Sequence, residues 1–316
     1  MNHRWPPDMP QSVENTPSIE QSLDALRVCL RKAVRRNPVN GLLFSGGLDT
    51  SILAFLSSTI PALHICLDEG GDDLPFAERV AQELGLRLVV RRVSVDEALR
   101  AIPEVIRIRR SFDPALPNDL ALYFAFDKAR QLGWKSVMTG DGADELFAGY
   151  SFMFDRDLAE YIPWLIGRMH FSANEFGAWF AIRVAQPYLD RRVVDLALSI
   201  PAELKVRMEN GQRYGKWILR KAFEIELADV CWQGKRPIEM GSGFTRLRKA
   251  IADMVDASDR DAPVRFISPD HPYYYRVYRQ VIGDIPSPGP GETVCPGCGA
   301  GLPPDSVHCR VCGWSG

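Results

Sequence analysis

Two short segments carry residue types that could grip a polyphosphate: Ser45-Gly46-Gly47-Leu48-Asp49-Thr50-Ser51 and Gly140-Asp141-Gly142-Ala143-Asp144-Glu145. In the first, Gly46 and Gly47 remove side chains where backbone must curl round oxygens. The free N–H groups and positive dipole end of a following helix then face the anion. Asp49 inside this loop would repel phosphate unless a magnesium ion lay between them. The loop has no Walker lysine, which points away from γ-phosphate transfer.

The flanking sequence predicts the elements that hold these loops. Gly41 to Phe44 is a short apolar run ending in Ser-Gly-Gly, and Ile52 to Leu56 follows with helical character, giving strand, tight loop, helix. Upstream, Ile19, Leu23, Leu26, Leu30 and Ala33 fall at helical spacing until Asn37-Pro38 stops the helix. Downstream, the pattern predicts strands at Ala62 to Leu67, Leu86 to Val93 and Lys135 to Thr139. Between them it predicts helices at Pro75 to Leu84, Val95 to Ile108 and Asp119 to Leu132. This alternation implies an α/β fold, a doubly wound parallel sheet that binds ligand at the carboxyl ends of its strands. Beyond Tyr150 strand signals stop, and the second half reads as helical: Ala159 to Met169, Phe176 to Val184, Val193 to Leu198 and Gly215 to Leu227.

At 316 residues, 46% hydrophobic and 25% charged, the chain has the make-up of an ordinary globular protein, with one main domain and an appendage expected. Its formal net charge of −2 gives no global drive towards nucleic acid or anionic membrane. No apolar stretch approaches the roughly 20 residues of a membrane span. Nor does the start have the apolar core of a signal peptide, so a cytoplasmic protein is expected. Composition divides the chain into a loose arm at 1–18, an enzyme-like body at 19–282, a Pro/Gly linker at 283–292 and a cysteine-rich tail at 293–316.

In that tail, Cys295-Pro296-Gly297-Cys298 and Cys309-Arg310-Val311-Cys312 form two CxxC knuckles with ten residues between them, each followed by glycine. The spacing predicts a zinc ribbon, since each knuckle lets two thiolates grip one metal. Four thiolates leave no open position, so the zinc is expected to be structural. A protein or RNA partner for the ribbon is left open. Cys29, Cys66 and Cys231 are scattered, and with His64 and His170 they read as packing residues.

The two loops resemble the halves of one ATP pyrophosphatase site. With Met138 to Tyr150 taken whole, they resemble the synthetase domain of asparagine synthetases and their β-lactam synthetase relatives, over roughly residues 20 to 255. Gln186-Pro187-Tyr188-Leu189-Asp190, Lys216 to Phe223 and Gln233-Gly234-Lys235-Arg236 match further family segments in order. Argininosuccinate synthetases share the first loop but lack the second. The resemblance implies adenylation of a substrate carboxylate by ATP with release of pyrophosphate, followed by attack of a nitrogen nucleophile; aspartate is the default acceptor. It implies that Ser45, Gly46, Gly47 and Ser51 hold the departing pyrophosphate, with Gly140 in the nucleotide-binding set. Asp49 and Asp144 would bind magnesium, Leu43 and Ile65 would flank adenine, and Lys235 would face the phosphates. Asp141 stands where the family has a glutamate linked with deprotonating the amine or orienting the intermediate.

Plainer readings exist for each feature. Ser-Gly-Gly alone is a common turn, the second loop alone could be a solvated acidic turn, and Lys216 with Arg220, one helical turn apart, could be an exposed face. The chain starts Met1-Asn2, without the nucleophilic cysteine of a glutaminase domain. The nitrogen is therefore expected as free ammonia, as an amine on another substrate, or as ammonia from a partner glutaminase. Two rival functions are a tRNA-modifying ATP pyrophosphatase and a non-catalytic nucleotide-binding scaffold that recruits a partner through the ribbon.

Overall fold

The computed structural model describes residues 18–68, 71, 73–234 and 238–316. The expected N-terminal arm, except Ser18, and Lys235 lie outside the described residues. Ser18 opens helix α1 (Ile19–Arg36) with a capping box: its hydroxyl accepts from the Gln21 N–H at 3.2 Å, and its own N–H donates to the Gln21 side chain at 2.9 Å.

Five strands form one parallel sheet in the order β3-β2-β1-β4-β5: β1 (Gly41–Leu43), β2 (Ala62–Leu67), β3 (Leu88–Val93), β4 (Ser136–Met138) and β5 (Arg183–Ala185). The crossovers are α2 (Leu48–Leu56), α3 (Leu74–Glu83), then α4 (Val95–Arg109) with α5 (Leu116–Gln131). Side-chain alternation sends the strands into two cores. Leu43, Leu63, Ile65, Leu67 and Val137 pack with α4 and α5, whereas Leu42, Phe44, Ala62 and Met138 pack with α1, α2 and α3. The doubly wound sheet expected from the sequence is therefore present.

The strand order places the site. From β1 the chain moves outward through β2 and β3, then returns to lay β4 on the other side of β1. The crevice outside the carboxyl ends of β1 and β4 lies at this reversal. Both loops follow those two strands, and the second leads into the short helix α6 (Ala143–Leu146).

The second half is less purely helical than its sequence implies. Helices α7 (Leu158–Ile166), α8 (Ser172–Phe180) and α9 (Arg191–Ser199) are present, but the end of the expected helix at 176–184 is instead edge strand β5. Ala181, in the left-handed region at φ 53°, closes α8, and the chain then pairs with β4. A hairpin, β6 (Arg207–Glu209) with β7 (Gln212–Tyr214), precedes the helix Trp217–Ala222. The expected helix at 215–227 breaks at Phe223 before resuming over Glu224–Leu227. A further helix, His271–Val281, carries Tyr273, Tyr274, Val277 and Tyr278 into the core shared with α4 and α5.

Candidate active site

The Ser45–Ser51 loop is braced from within. Its serine hydroxyl receives the Gly47 N–H at 3.2 Å and lies 3.1 Å from the Thr50 hydroxyl. Gly46 sits at φ +83° with α3 close behind it, where an added Cβ would stand 3.0 Å from the Ala77 backbone. A side chain there would be both strained and crowded. Gly47 caps α2 without a side-chain hydrogen bond to the first turn, so those N–H groups face the crevice. Ser51, expected to touch pyrophosphate, is fully buried and donates its hydroxyl to the Gly46 carbonyl at 2.9 Å. In this arrangement it shapes the loop from behind.

His64, on β2, supports the loop from the neighbouring strand. Its Nδ1 lies 2.9 Å from the Phe44 carbonyl, which can only accept, so that nitrogen carries the proton. Burial holds the imidazole below its ordinary range, and the ring is neutral. Leu43 and Ile65, the expected adenine neighbours, lie in one core cluster, Leu43 at the end of β1 and Ile65 within the adjacent β2.

The two loops meet at Lys216. Its Nζ lies 2.9 and 2.7 Å from the two carboxylate oxygens of Asp49 and 2.7 Å from Asp144 Oδ1. The lysine side chain is only 6% exposed, so it is no part of an exposed face; Arg220 is likewise buried and donates to the carbonyls of Gly215, Cys231 and Gln233. Burial alone would discharge Lys216, but Asp49 and Asp144 outweigh it and hold the ammonium above the usual lysine range. Gly149 makes the approach possible. A Cβ there would fall 1.9 Å from Asp144 Oδ1 and 2.3 Å from Lys216 Cε. Helical periodicity did not reveal this role, because Lys216 lies at φ 54°, outside the helix that follows.

Asp141 and Glu145 occupy the remainder of the second loop. Asp141 accepts from Thr139 Oγ1 at 2.7 Å and from Gln186 Nε2 at 2.8 Å. Burial raises its pKa above the usual carboxylate range, against the pull of those two donors, and makes it a stronger proton acceptor. Gln186 arrives just beyond β5, and nothing in the sequence marked that short strand. Gly140 opens the loop, against Asp49 and Thr50. The Glu145 carboxylate accepts from the Tyr150 hydroxyl at 3.0 Å; burial, with Asp144 nearby, pushes its pKa up to about 6.

A raised carboxylate pKa has a testable consequence. Between the ordinary value of 4.5 and about 6 the folded chain holds this proton more tightly than the unfolded chain does, so stability falls as pH rises through that window. Glu145→Gln keeps an acceptor for Tyr150 and removes the charge. It is expected to stabilise the zinc-loaded, magnesium-free protein by about 1–2 kcal/mol at pH 7.5 and by nearly nothing at pH 4.5. Urea unfolding at the two pH values checks this, and equal effects at both would refute the assignment.

The four tail cysteines form a second cluster. Their Sγ atoms all lie within 4.8 Å of one another, with Cys295 to Cys312 at 3.7 Å and Cys298 to Cys309 at 3.8 Å. A tetrahedron of thiolates around one ion with bonds near 2.3 Å has edges of about 3.8 Å, so the cage fits a single metal ion. The Gly297 N–H donates to Cys295 Sγ at 3.3 Å, as the knuckle reading requires. The ribbon is not a free appendage. Val311 accepts from the Phe112 N–H at 2.8 Å, Gly297 accepts from the Arg265 N–H at 2.7 Å, and His308 Nε2 meets Asp113 Oδ2 at 3.1 Å. The Pro/Gly linker joins the two parts without separating them: the tail cysteines share a core with Phe112, Tyr274 and Tyr278.

The asparagine synthase family model matches residues 21–180 and 168–276, a span that takes in both loops, Gln186 and Lys216. The chain belongs to the asparagine synthase family. A probable glutamine-hydrolysing asparagine synthetase of Dictyostelium discoideum is 28% identical over 267 residues, covering 72% of this chain and 48% of that protein. The glutamine-hydrolysing asparagine synthetase of Triphysaria versicolor is 31% identical over 248 residues, covering 71% of this chain and 42% of its own length. The chain thus spans less than half the length of these family members. Among solved structures, NMN synthetase from Francisella tularensis overlaps 74% of this chain and 94% of its own at a TM-score of 0.29 and 13% identity. Among the described residues no helix is long and apolar enough to cross a membrane.

Proposed function

We propose that this chain is an ATP-dependent, AMP- and pyrophosphate-forming amidoligase that activates a carboxylate, aspartate by default, and joins it to ammonia or another amine. The observation that carries the reading is the meeting of Asp49 and Asp144, one from each loop, on the ammonium of Lys216. Family membership supports a ligase.

In the first half-reaction a carboxylate oxygen bonds to the α-phosphorus, the bond from that phosphorus to the α-β bridging oxygen breaks, and pyrophosphate leaves. Ser45, Gly46 and Gly47 form the turn that would bring the leaving group to the positive end of α2, whose dipole favours an anion there. Asp49 and Asp144 are suited to hold magnesium, since a positive charge already sits between them. When bound, that ion neutralises the charge growing on pyrophosphate. In the second half-reaction an amine nitrogen attacks the acyl carbon, AMP leaves, and the nitrogen gives its proton to a base. Asp141 is the base or orienting carboxylate in this reading, with Thr139 and Gln186 fixing its position. Zinc is the ion assigned to the four-cysteine cage. We place the protein in the cytoplasm, where such thiolates stay reduced.

The assignment of Asp141 is tested by lengthening it. Asp141→Glu pushes the carboxylate more than ~1 Å into the space of Gln186, and a misplacement of that size can cost on the order of a hundredfold in rate. Amide formation is expected to fall by about that factor, with ATP–pyrophosphate exchange retained. Faster asparagine formation from ammonia than in the wild type would overturn the reading and make aspartate a secondary substrate.

A further inference from the structure

Lys216 is placed with more care than a spare counter-charge requires. Its backbone is in the left-handed region at φ 54° and ψ 27°, which side-chain-bearing residues rarely adopt. Its N–H donates to the Phe147 carbonyl at 2.9 Å, tying it to the end of α6. The stem passes Gly149, where a Cβ would collide with it, and the ammonium stops within 2.7 Å of both carboxylates. Tyr188 fixes the other side of the cluster by donating its hydroxyl to the Asp49 carbonyl at 3.0 Å. The result, among the described residues, is a buried positive charge at the point where a divalent ion bridging the two loops would need to sit.

We propose that Lys216 is a positioning residue that stands in for the divalent cation while no nucleotide is bound. Its ammonium draws Asp49 and Asp144 together around one point, which pre-organises the metal site before ATP arrives. The same charge repels a bare divalent ion. Only the phosphates of ATP, entering with the ion, bring enough negative charge to hold both cations in one place. The ion and the nucleotide are thus taken up together, and the free protein does not fill its metal site from solution. This inference rests on the proposed reading that Asp49 and Asp144 are the magnesium ligands.

The test is Mn²⁺ binding to the full chain, zinc retained and nucleotide absent, followed by electron paramagnetic resonance. The wild type should bind Mn²⁺ weakly and gain affinity when ATP is added. Lys216→Met and Lys216→Gln should tighten Mn²⁺ without nucleotide on the order of tenfold or more, because an adjacent positive charge has been removed from a poorly solvated site. Lys216→Arg, which keeps the charge, should behave as the wild type. Two neutral variants of different polarity are used so that poor folding of one leaves the other to decide. Neutral variants that bind Mn²⁺ no better than the wild type would overturn the stand-in role. So would a wild type whose Mn²⁺ affinity is the same with and without ATP. Asp49→Asn and Asp144→Asn, measured with ATP present, separate the two levels. If they leave Mn²⁺ uptake intact, the metal assignment itself falls. If they abolish it while the neutral Lys216 variants gain nothing, only the role of Lys216 falls.

Discussion

Asp49→Asn and Asp144→Asn are each expected to lower magnesium-dependent pyrophosphate release by about 10²–10³-fold or more, the range seen when a group that stabilises developing charge is removed. The fold should survive. Breaking a buried ion pair costs about 3–5 kcal/mol when it strands an unpaired charge, but here each substitution leaves Lys216 on the other carboxylate. The loss of stability should therefore fall well short of that range. Steady-state pyrophosphate release together with thermal melts checks both halves. A variant with wild-type rates would remove its carboxylate from the magnesium site, and an unfolded one would show the pair to be chiefly structural.

Stripping the metal from the ribbon should have the largest effect on stability. Structural zinc contributes about 10–16 kcal/mol in small peptides at neutral pH, so the knuckles should unfold on chelation or in Cys309→Ser. The damage should then spread. Phe112 and Tyr278 are 0% and 1% exposed and lie in the core that the ribbon helps to close. Exposing aromatic side chains of this kind costs about 1.5–3 kcal/mol each when complete. The body is therefore expected to melt several degrees lower in metal-free protein, with one zinc per chain in protein purified without chelator. A body transition that does not move on chelation would show the interface to be energetically idle, and purified protein without zinc would remove the metal assignment.

Much of this was legible because the first half obeys local rules. The strands at Gly41 and Ala62 are buried apolar runs bounded by turn residues, and α1 runs from Ile19 until Asn37-Pro38 stops it, as its spacing predicts. The second half depends on distant partners. Arg183-Val184-Ala185 is too short and too polar at its start to signal a strand; it becomes one because β4 offers an unpaired edge. Lys216 was visible as a family lysine but not as the hub of the site, since helical spacing cannot anticipate a left-handed residue that turns its side chain away from the helix it precedes. The seating of the ribbon on Phe112 and Arg265 was hidden for the same reason: its hydrogen bonds run between segments far apart in the chain.

Edge strand β5 carries one more implication. The loops assigned to ATP hang from β1 and β4, each paired on both sides, whereas Gln186, which holds Asp141, follows a three-residue strand that among the described residues has a neighbour on one side only. A shift of β5 that spares Tyr188 would re-aim the nitrogen end of the pocket through Gln186 and disturb the nucleotide end least. Divergence towards new amines is thus cheapest at the rim of the sheet, and an engineer seeking a different product should randomise residues 183–186 before touching either loop, sparing Tyr188, which holds Asp49.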